Sequence, residues 1–213
     1  RLYRNQDAET HYERYLALRP SDAMAWYCRG LAQQRLRRLM EALASFDKAL
    51  ALAPKHSGVS NARADLLFEI ERFEEAARDY ETVRAGTDPF PAYVHGYLML
   101  SKLHCCDWTG LDESLHRVEN EIHTGQFAVD PLGLTLVSHS LDDLRQCSDI
   151  WARSKYPEAP APLWRGERYA HDRIRVAYIS ADLRMHATAF LMAGVFERHD
   201  KSRFETIALS SGA

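Results

Sequence analysis

Small and aromatic residues recur along the first ninety or so positions with a period far longer than that of one helix or strand. Ala8, Ala42 and Ala76 lie 34 residues apart, and so do Tyr12, Phe46 and Tyr80. Pro20 and Pro54 keep this spacing, and the third phase falls on Asp88, one residue before Pro89. Within the middle unit, Trp26, Gly30, Ala42, Phe46, Ala49 and Pro54 are separated by 4, 12, 4, 3 and 5 residues. Gly30 maps forward onto Ala64, another small residue. A fixed period of this length signals stacked supersecondary units, each burying its apolar face against its neighbours. The pattern predicts helical hairpins in which Gly30 or Ala64 faces Ala42 or Ala76 where two helices approach closely. The aromatics fill the space between successive hairpins, and Pro54 ends the second helix.

These spacings resemble the tetratricopeptide repeat, with its Trp, Gly, small residue, aromatic, Ala and closing Pro. Arg29 and Gln33 depart from it, standing where the pattern has Leu and Tyr. The first unit is represented by its second half alone, so an array beginning upstream is expected. From Pro91 to about Tyr156 the 34-residue phase fails, yet the pattern stays helical. Thr109 with Asp112, and Ser140 with Asp143, read as helix starts with an N-cap hydroxyl and an acid three residues on. Leu111, Leu115, Val118 and Ile122 mark one apolar stripe, and Leu141, Leu144, Cys147 and Trp151 another. Three prolines in six residues, Pro157 to Pro162, then mark a linker.

Beyond the linker the period shortens. Ile174, Val176, Ala177, Tyr178 and Ile179 form a β-rich run that ends at Ser180. A loop from Ala181 to Thr188 precedes a helical stretch from about Ala189 to His199, whose apolar residues include Phe190, Leu191, Val195 and Phe196. A second run follows at Phe204, Thr206, Ile207, Ala208 and Leu209. This order reads as β–loop–α–β, the opening unit of an open parallel sheet.

Composition narrows the function classes. The 213 residues are 46% hydrophobic and 27% charged, with 10 Gly and 8 Pro, which is ordinary globular usage. Lys and Arg total 27 against 30 Asp and Glu, without the basic excess of most nucleic-acid binders. No apolar run approaches the roughly 18 residues of a membrane span. Four cysteines do not make a disulfide framework and suit a reducing, cytoplasmic setting. Arg35, Arg37 and Arg38 cluster at a turn between repeat helices and read as a solvated turn.

Several side chains are candidates for chemistry. His104-Cys105-Cys106-Asp107 concentrates ligand types, but adjacent cysteines do not both reach one tetrahedral ion and no CxxC or HxxxH pair accompanies them. His116 and His123 lie seven apart without a third ligand in phase. No metal is expected, and no cysteine has a thiolate-stabilising neighbourhood. His186 is the stronger candidate. It lies in the loop after the first strand, the end of a parallel sheet where ligands bind, and two residues before Thr188, the expected N-cap. An uncharged imidazole there accepts a proton from a hydroxyl nucleophile or hydrogen-bonds a phosphate-bearing substrate. Asp182 either orients it or caps the loop backbone.

Taken together, the repeats, Cys106-Asp107-Trp108-Thr109, Arg173 to Asp182 (RIRVAYISAD) and His186-Ala187-Thr188-Ala189-Phe190-Leu191-Met192 resemble the O-linked N-acetylglucosamine transferases. That family includes the plant SPINDLY-like enzymes and bacterial relatives. Leu163-Trp164-Arg165-Gly166-Glu167-Arg168-Tyr169 resembles the bacterial branch, and Ala187 stands where many relatives have Pro. The resemblance implies an inverting, metal-independent glycosyltransferase with two Rossmann-like halves (the GT-B arrangement). It needs no cofactor beyond the nucleotide-sugar substrate. In such enzymes the repeats guide polypeptides, and a Ser or Thr hydroxyl attacks the anomeric carbon. His186 is then the catalytic candidate, as base or positioning residue, with Thr188 and Asp182 as substrate contacts.

The expected fold is mostly α, with tetratricopeptide repeats over 1–89 and a helical, proline-rich region over 90–170. The first βαβ unit of a Rossmann-like GT-B lobe follows over 171–213. The leading donor is UDP-N-acetylglucosamine, with GDP-fucose as the alternative, and the partners are polypeptides and the nucleotide sugar, with no nucleic acid or membrane. A non-catalytic peptide-binding scaffold is the competing function. Ending at Ala213, the chain reads as the N-terminal portion of a longer enzyme, and these residues alone are expected to transfer no sugar.

Overall fold

The computed structural model describes residues 2–86, 89–159, 161 and 164–211. Asp88, the third-phase counterpart of Pro54, lies outside them, as do Pro160 and Pro162 of the linker, Leu163, and the terminal Gly212 and Ala213. The chain divides into two compact units, 1–158 and 159–213.

The first unit is helical: α1 (Leu2–Leu18), α2 (Ala23–Arg35), α3 (Leu39–Leu52), α4 (Ser57–Glu69), α5 (Phe73–Ala85), α6 (Tyr93–His104), α7 (Leu111–His123), α8 (Pro131–Thr135) and α9 (Leu141–Lys155). Their starts follow from capping chemistry. The Asp22 carboxylate accepts the Ala25 N–H at 3.0 Å, and this bond first, then the Tyr15 hydroxyl, lowers its pKa. His56 Nδ1 accepts the Val59 N–H at 3.3 Å. Asp130 caps α8 ahead of Pro131, and Ser140 caps α9 by accepting the Asp143 N–H at 3.2 Å. Thr109 does not cap α7; that position belongs to Gly110 at φ 69°, while the Thr109 N–H donates to the Asp107 carboxylate.

The helix ends repeat as well. Arg37, Glu71 and Cys106 adopt left-handed φ of 63°, 63° and 57° after α2, α4 and α6. The next residue in each case donates its N–H five residues back: Arg38 to Gln33, Arg72 to Leu67 and Asp107 to Lys102, at 2.8 to 3.0 Å. This is the Schellman closure that satisfies terminal carbonyls. It recurs after 34 and then 35 residues, so the hairpin geometry continues into α6 and α7, where the residue-type phase is already lost.

Two buried clusters fill the unit. The first runs from α3 to α6 around Phe46, Leu66, Leu67, Tyr80 and Val94, and the second joins α6 to α9 through Leu100, Val118, Ile122, Leu134 and Cys147. Helix α6 serves both, with Val94 and Leu98 on one side and Met99 and Leu100 on the other. Gly30 is required where it stands, but its partner is Phe46 rather than Ala42: a Cβ there would lie 2.5 Å from the Phe46 ring. Gly96 admits the 126–130 loop, whose Ala128 carbonyl oxygen would lie 2.2 Å from an added Cβ. In α9 the buried face is Asp143 and Cys147 with Leu144 and Ile150 partly covered, whereas Leu141 is exposed.

Polar ladders explain the departures from the repeat pattern. Gln33 is fully buried, donating to Glu9 at 3.1 Å and accepting from Ser45 at 2.7 Å. Arg29 pairs with Glu13 at 3.0 Å, and 34 residues on Arg63 pairs with Asp47 at 2.7 Å. The arginine turn is partnered within the chain rather than simply solvated. Arg38 binds Glu9 at 2.7 Å, and Arg37 pairs with Glu69.

In the second unit, β1 (Ile174–Ser180) and β2 (Phe204–Ser210) pair in parallel over seven positions, from Ile174 opposite Phe204 to Ser180 opposite Ser210. Helix α10 (Ala187–Arg198) connects them. Tyr178 ties strand to helix, with its ring edge-on to Phe196 at 4.8 Å and its hydroxyl 2.6 Å from His199 Nε2. Among the described residues no helix is long and apolar enough to cross a membrane.

Candidate functional site

The β1 strand ends at Ser180, whose hydroxyl accepts the Asp182 N–H at 3.0 Å and starts the turn of the loop. The loop closes on His186, which is extended (φ −145°, ψ 152°) and is itself the N-cap of α10. Thr188, the expected cap, sits two residues inside, and its backbone N–H donates to His186 Nδ1 at 3.2 Å. The Thr188 hydroxyl oxygen lies at the same 3.2 Å from that nitrogen. A nitrogen that accepts an amide hydrogen carries none, so the ring's own proton is assigned to Nε2. The other ring nitrogen, Nε2, is therefore a hydrogen-bond donor. Asp182 Oδ2 stands 3.9 Å from Nδ1, too far for a hydrogen bond. The structure thus gathers His186, Thr188 and Asp182 around one ring, with His186 and Asp182 side chains 45% and 39% exposed.

The other sequence candidates are engaged elsewhere. The His104 ring stacks flat on Phe73 at 4.0 Å. Cys105 and Cys106 are exposed, and desolvation first, then Glu74, raises the Cys105 thiol. Cys147 is buried, donates to the Val129 carbonyl at 3.2 Å, and is pushed up to about 11 by burial and by Asp130. His116 lies 3.3 Å from Glu119, and His123 2.7 Å from Asp143. Among the described residues no group of three or more His, Cys, Asp or Glu is placed to hold a metal ion.

One constellation escaped the sequence reading. Asp65 on α4 accepts the Tyr80 hydroxyl at 2.8 Å and the Tyr93 hydroxyl at 3.1 Å, and Asn61 donates to that Tyr93 oxygen at 2.6 Å. Tyr97 bonds Asp130. Burial raises Asp65 above the usual carboxylate range against the opposing pull of the two hydroxyls and of Lys155. Burial, with Asp65, also lifts Tyr93 to about 12 and Tyr80 further still, and burial, with Asp130, raises Tyr97. Asp65, Tyr80, Tyr93, Tyr97, Asp130 and Lys155 line an open cavity of about 570 Å³ in the helical unit. Tyr93 and Tyr97 stand one helical turn apart in the sequence, but nothing in that spacing ties them to Asp65.

Residues 23–56 match the tetratricopeptide repeat family, so this stretch is a tetratricopeptide repeat. Among solved structures, a double mutant of MamA from strain RS-1 is similar at 20% identity and a TM-score of 0.53, over 72% of this chain and 88% of that one. A MamA structure from Desulfovibrio magneticus RS-1 is 20% identical at a TM-score of 0.53, over 70% of this chain and 82% of that one. A mutant O-GlcNAc transferase of Thermobaculum terrenum is 18% identical over 99% of this chain and 35% of that one, at a TM-score of 0.44. The MamA likeness is one of fold. No curated protein sequence matches this chain.

Proposed function

We propose that these residues form part of a protein O-glycosyltransferase. The tetratricopeptide unit holds a polypeptide, and β1–α10–β2 opens a Rossmann-like GT-B lobe in which a sugar passes to a Ser or Thr hydroxyl. The observation that carries the reading is the placement of His186. It follows the carboxyl end of a parallel strand, where open α/β sheets bind ligands, and it lies within the segment that resembles the family. The donor is N-acetylglucosamine from its uridine diphosphate, with GDP-fucose the alternative. Neither a metal nor a cofactor takes part, and the free cysteines suit a cytoplasmic enzyme.

The capping geometry favours one of the two roles open to His186. To act as a base through Nε2, the ring would have to hold its proton on Nδ1 and give up the Thr188 amide. As it stands, Nε2–H donates, which suits an acceptor hydroxyl or an anionic diphosphate oxygen. His186 is read as a positioning donor, with Thr188 fixing its tautomer.

The test takes the protein at its native length, a candidate target, and UDP-N-acetylglucosamine or GDP-fucose, read by intact mass of the target. Transfer is expected from one donor, and His186→Ala is expected to lower it by roughly a hundredfold or more while the target stays bound. Unchanged turnover in that variant overturns any use of His186. The repeat match and the tyrosine-lined cavity favour a second reading, a non-catalytic polypeptide scaffold. Target retention without a mass change under either donor selects it.

A further inference from the structure

The tyrosine-lined cavity combines three properties. It is walled by aromatic rings: Tyr93 stands perpendicular to Tyr97 at 5.9 Å and lies 6.1 Å from Phe127, and Tyr80 lies 6.4 Å from Tyr97. It holds a carboxylate, Asp65, whose two oxygens each accept one tyrosine hydroxyl. A carboxylate has about four lone-pair sites, so Asp65, which lines the space, retains acceptor capacity beyond the two hydroxyls. Finally, a cation already stands at the wall. Lys155 Nζ sits 5.8 Å from the centre of the Phe127 ring, and its charge opposes the burial that disfavours ionised Asp65. Charges do not balance: Glu69 is taken by Arg37, which leaves Asp65 and Asp130 against Lys155 alone.

We propose that this cavity is a binding pocket for a cationic side chain, lysine or arginine, presented by a polypeptide segment. The Asp65 carboxylate is its counter-charge and the Tyr93, Tyr97 and Phe127 rings are its walls. The chemistry is that of an aromatic cage, in which ring faces attract an ammonium or guanidinium and a charge-assisted hydrogen bond fixes its depth. Exposed Lys155 shows which ligand chemistry the site accepts, and as a resident cation it competes with an incoming one. The proposal rests on the reading of the repeats as a polypeptide-binding unit and adds a selectivity to it.

The test uses labelled seven-residue Gly/Ser peptides with one central residue, lysine, arginine, norleucine or glutamate. Binding to the full chain is followed by anisotropy and by the ring resonances of Tyr93, Tyr97 and Phe127. The lysine and arginine peptides are expected to bind roughly tenfold tighter than norleucine, with shifts confined to these rings, and glutamate is expected not to bind. Asp65→Asn, whose one amide oxygen still accepts one tyrosine hydroxyl while its amide N–H can donate to the other tyrosine oxygen, should erase the preference. Lys155→Ala, which leaves the walls intact, should strengthen lysine binding several-fold, and Glu113→Gln, outside the cavity, should change nothing. Equal binding of lysine and norleucine overturns the proposal, as does a preference that survives Asp65→Asn. Peptide binding that shifts resonances elsewhere overturns this pocket but leaves the polypeptide reading standing, whereas no binding of any probe defeats both.

Discussion

The two units make secondary structure in different ways. In the helical unit, α3, α4, α5 and α6 bring Phe46, Leu66, Leu67, Tyr80 and Val94 to essentially complete burial. In the second unit, α10 has no buried residue, and Phe190, Leu191 and Ile179 remain 66%, 81% and 71% exposed. What defines that unit is backbone pairing, seven parallel positions in register, together with a cap and the Tyr178 contacts. Within these residues, buried side chains hold the helices of the first unit together, and main-chain pairing joins the strands of the second. A histidine can be held accurately in either setting, because His56 and His186 cap their helices through the same nitrogen.

Paired substitutions would break this contrast if it is wrong. The largest difference is expected between Tyr80→Ala and Phe190→Ala. The first empties a fully buried ring position and should cost about 3–5 kcal/mol. The second removes an exposed ring and should change stability by less than about 0.5 kcal/mol. Urea unfolding followed by circular dichroism reads both, and similar losses would sink the distinction. Next come two glycines. Gly30→Ala drives a methyl into the Phe46 ring and should destabilise by about 1–3 kcal/mol. Gly194→Ala, with open space at its Cβ inside α10, should be neutral or stabilise that helix by up to about 1 kcal/mol. Smallest is Glu71→Gly at the left-handed turn after α4. Relief of the side-chain clash should outweigh the added chain entropy and raise the midpoint by the equivalent of about 0.5–1 kcal/mol. A lowered midpoint would show that Glu71 does something besides turn the chain.

The repeat was legible because its close contacts demand particular residue types, so Ala42, Phe46 and their counterparts announce the period. Its turns were not, because Arg37, Glu71 and Cys106 fill left-handed positions that a reader expects to find as glycine. The start of α7 was missed for a different reason: Gly110, a residue without a capping side chain, takes the cap position in place of Thr109. The β–loop–α–β order was legible from the shortened period, and the pairing is parallel in the structure. The sequence pointed to the His186 loop but misplaced its cap, because histidine is rarely read as a capping residue and Thr188 is the usual type. The cavity was illegible for another reason. Asp65, Tyr80, Tyr93, Phe127 and Lys155 come from four helices and a loop, and no spacing along the chain records that they meet.

Because α6 carries one core on Val94 and Leu98 and the other on Met99 and Leu100, it acts as a keyed shaft between the two halves of the helical unit. One residue inserted between Leu98 and Met99 would turn everything beyond it by about 100° and advance it by about 1.5 Å. Neither core would then find its partner, although each would keep its own residues intact. The spacing of those four side chains is thus an angular setting, and the helical unit tolerates a change of residue in α6 far better than a change of count.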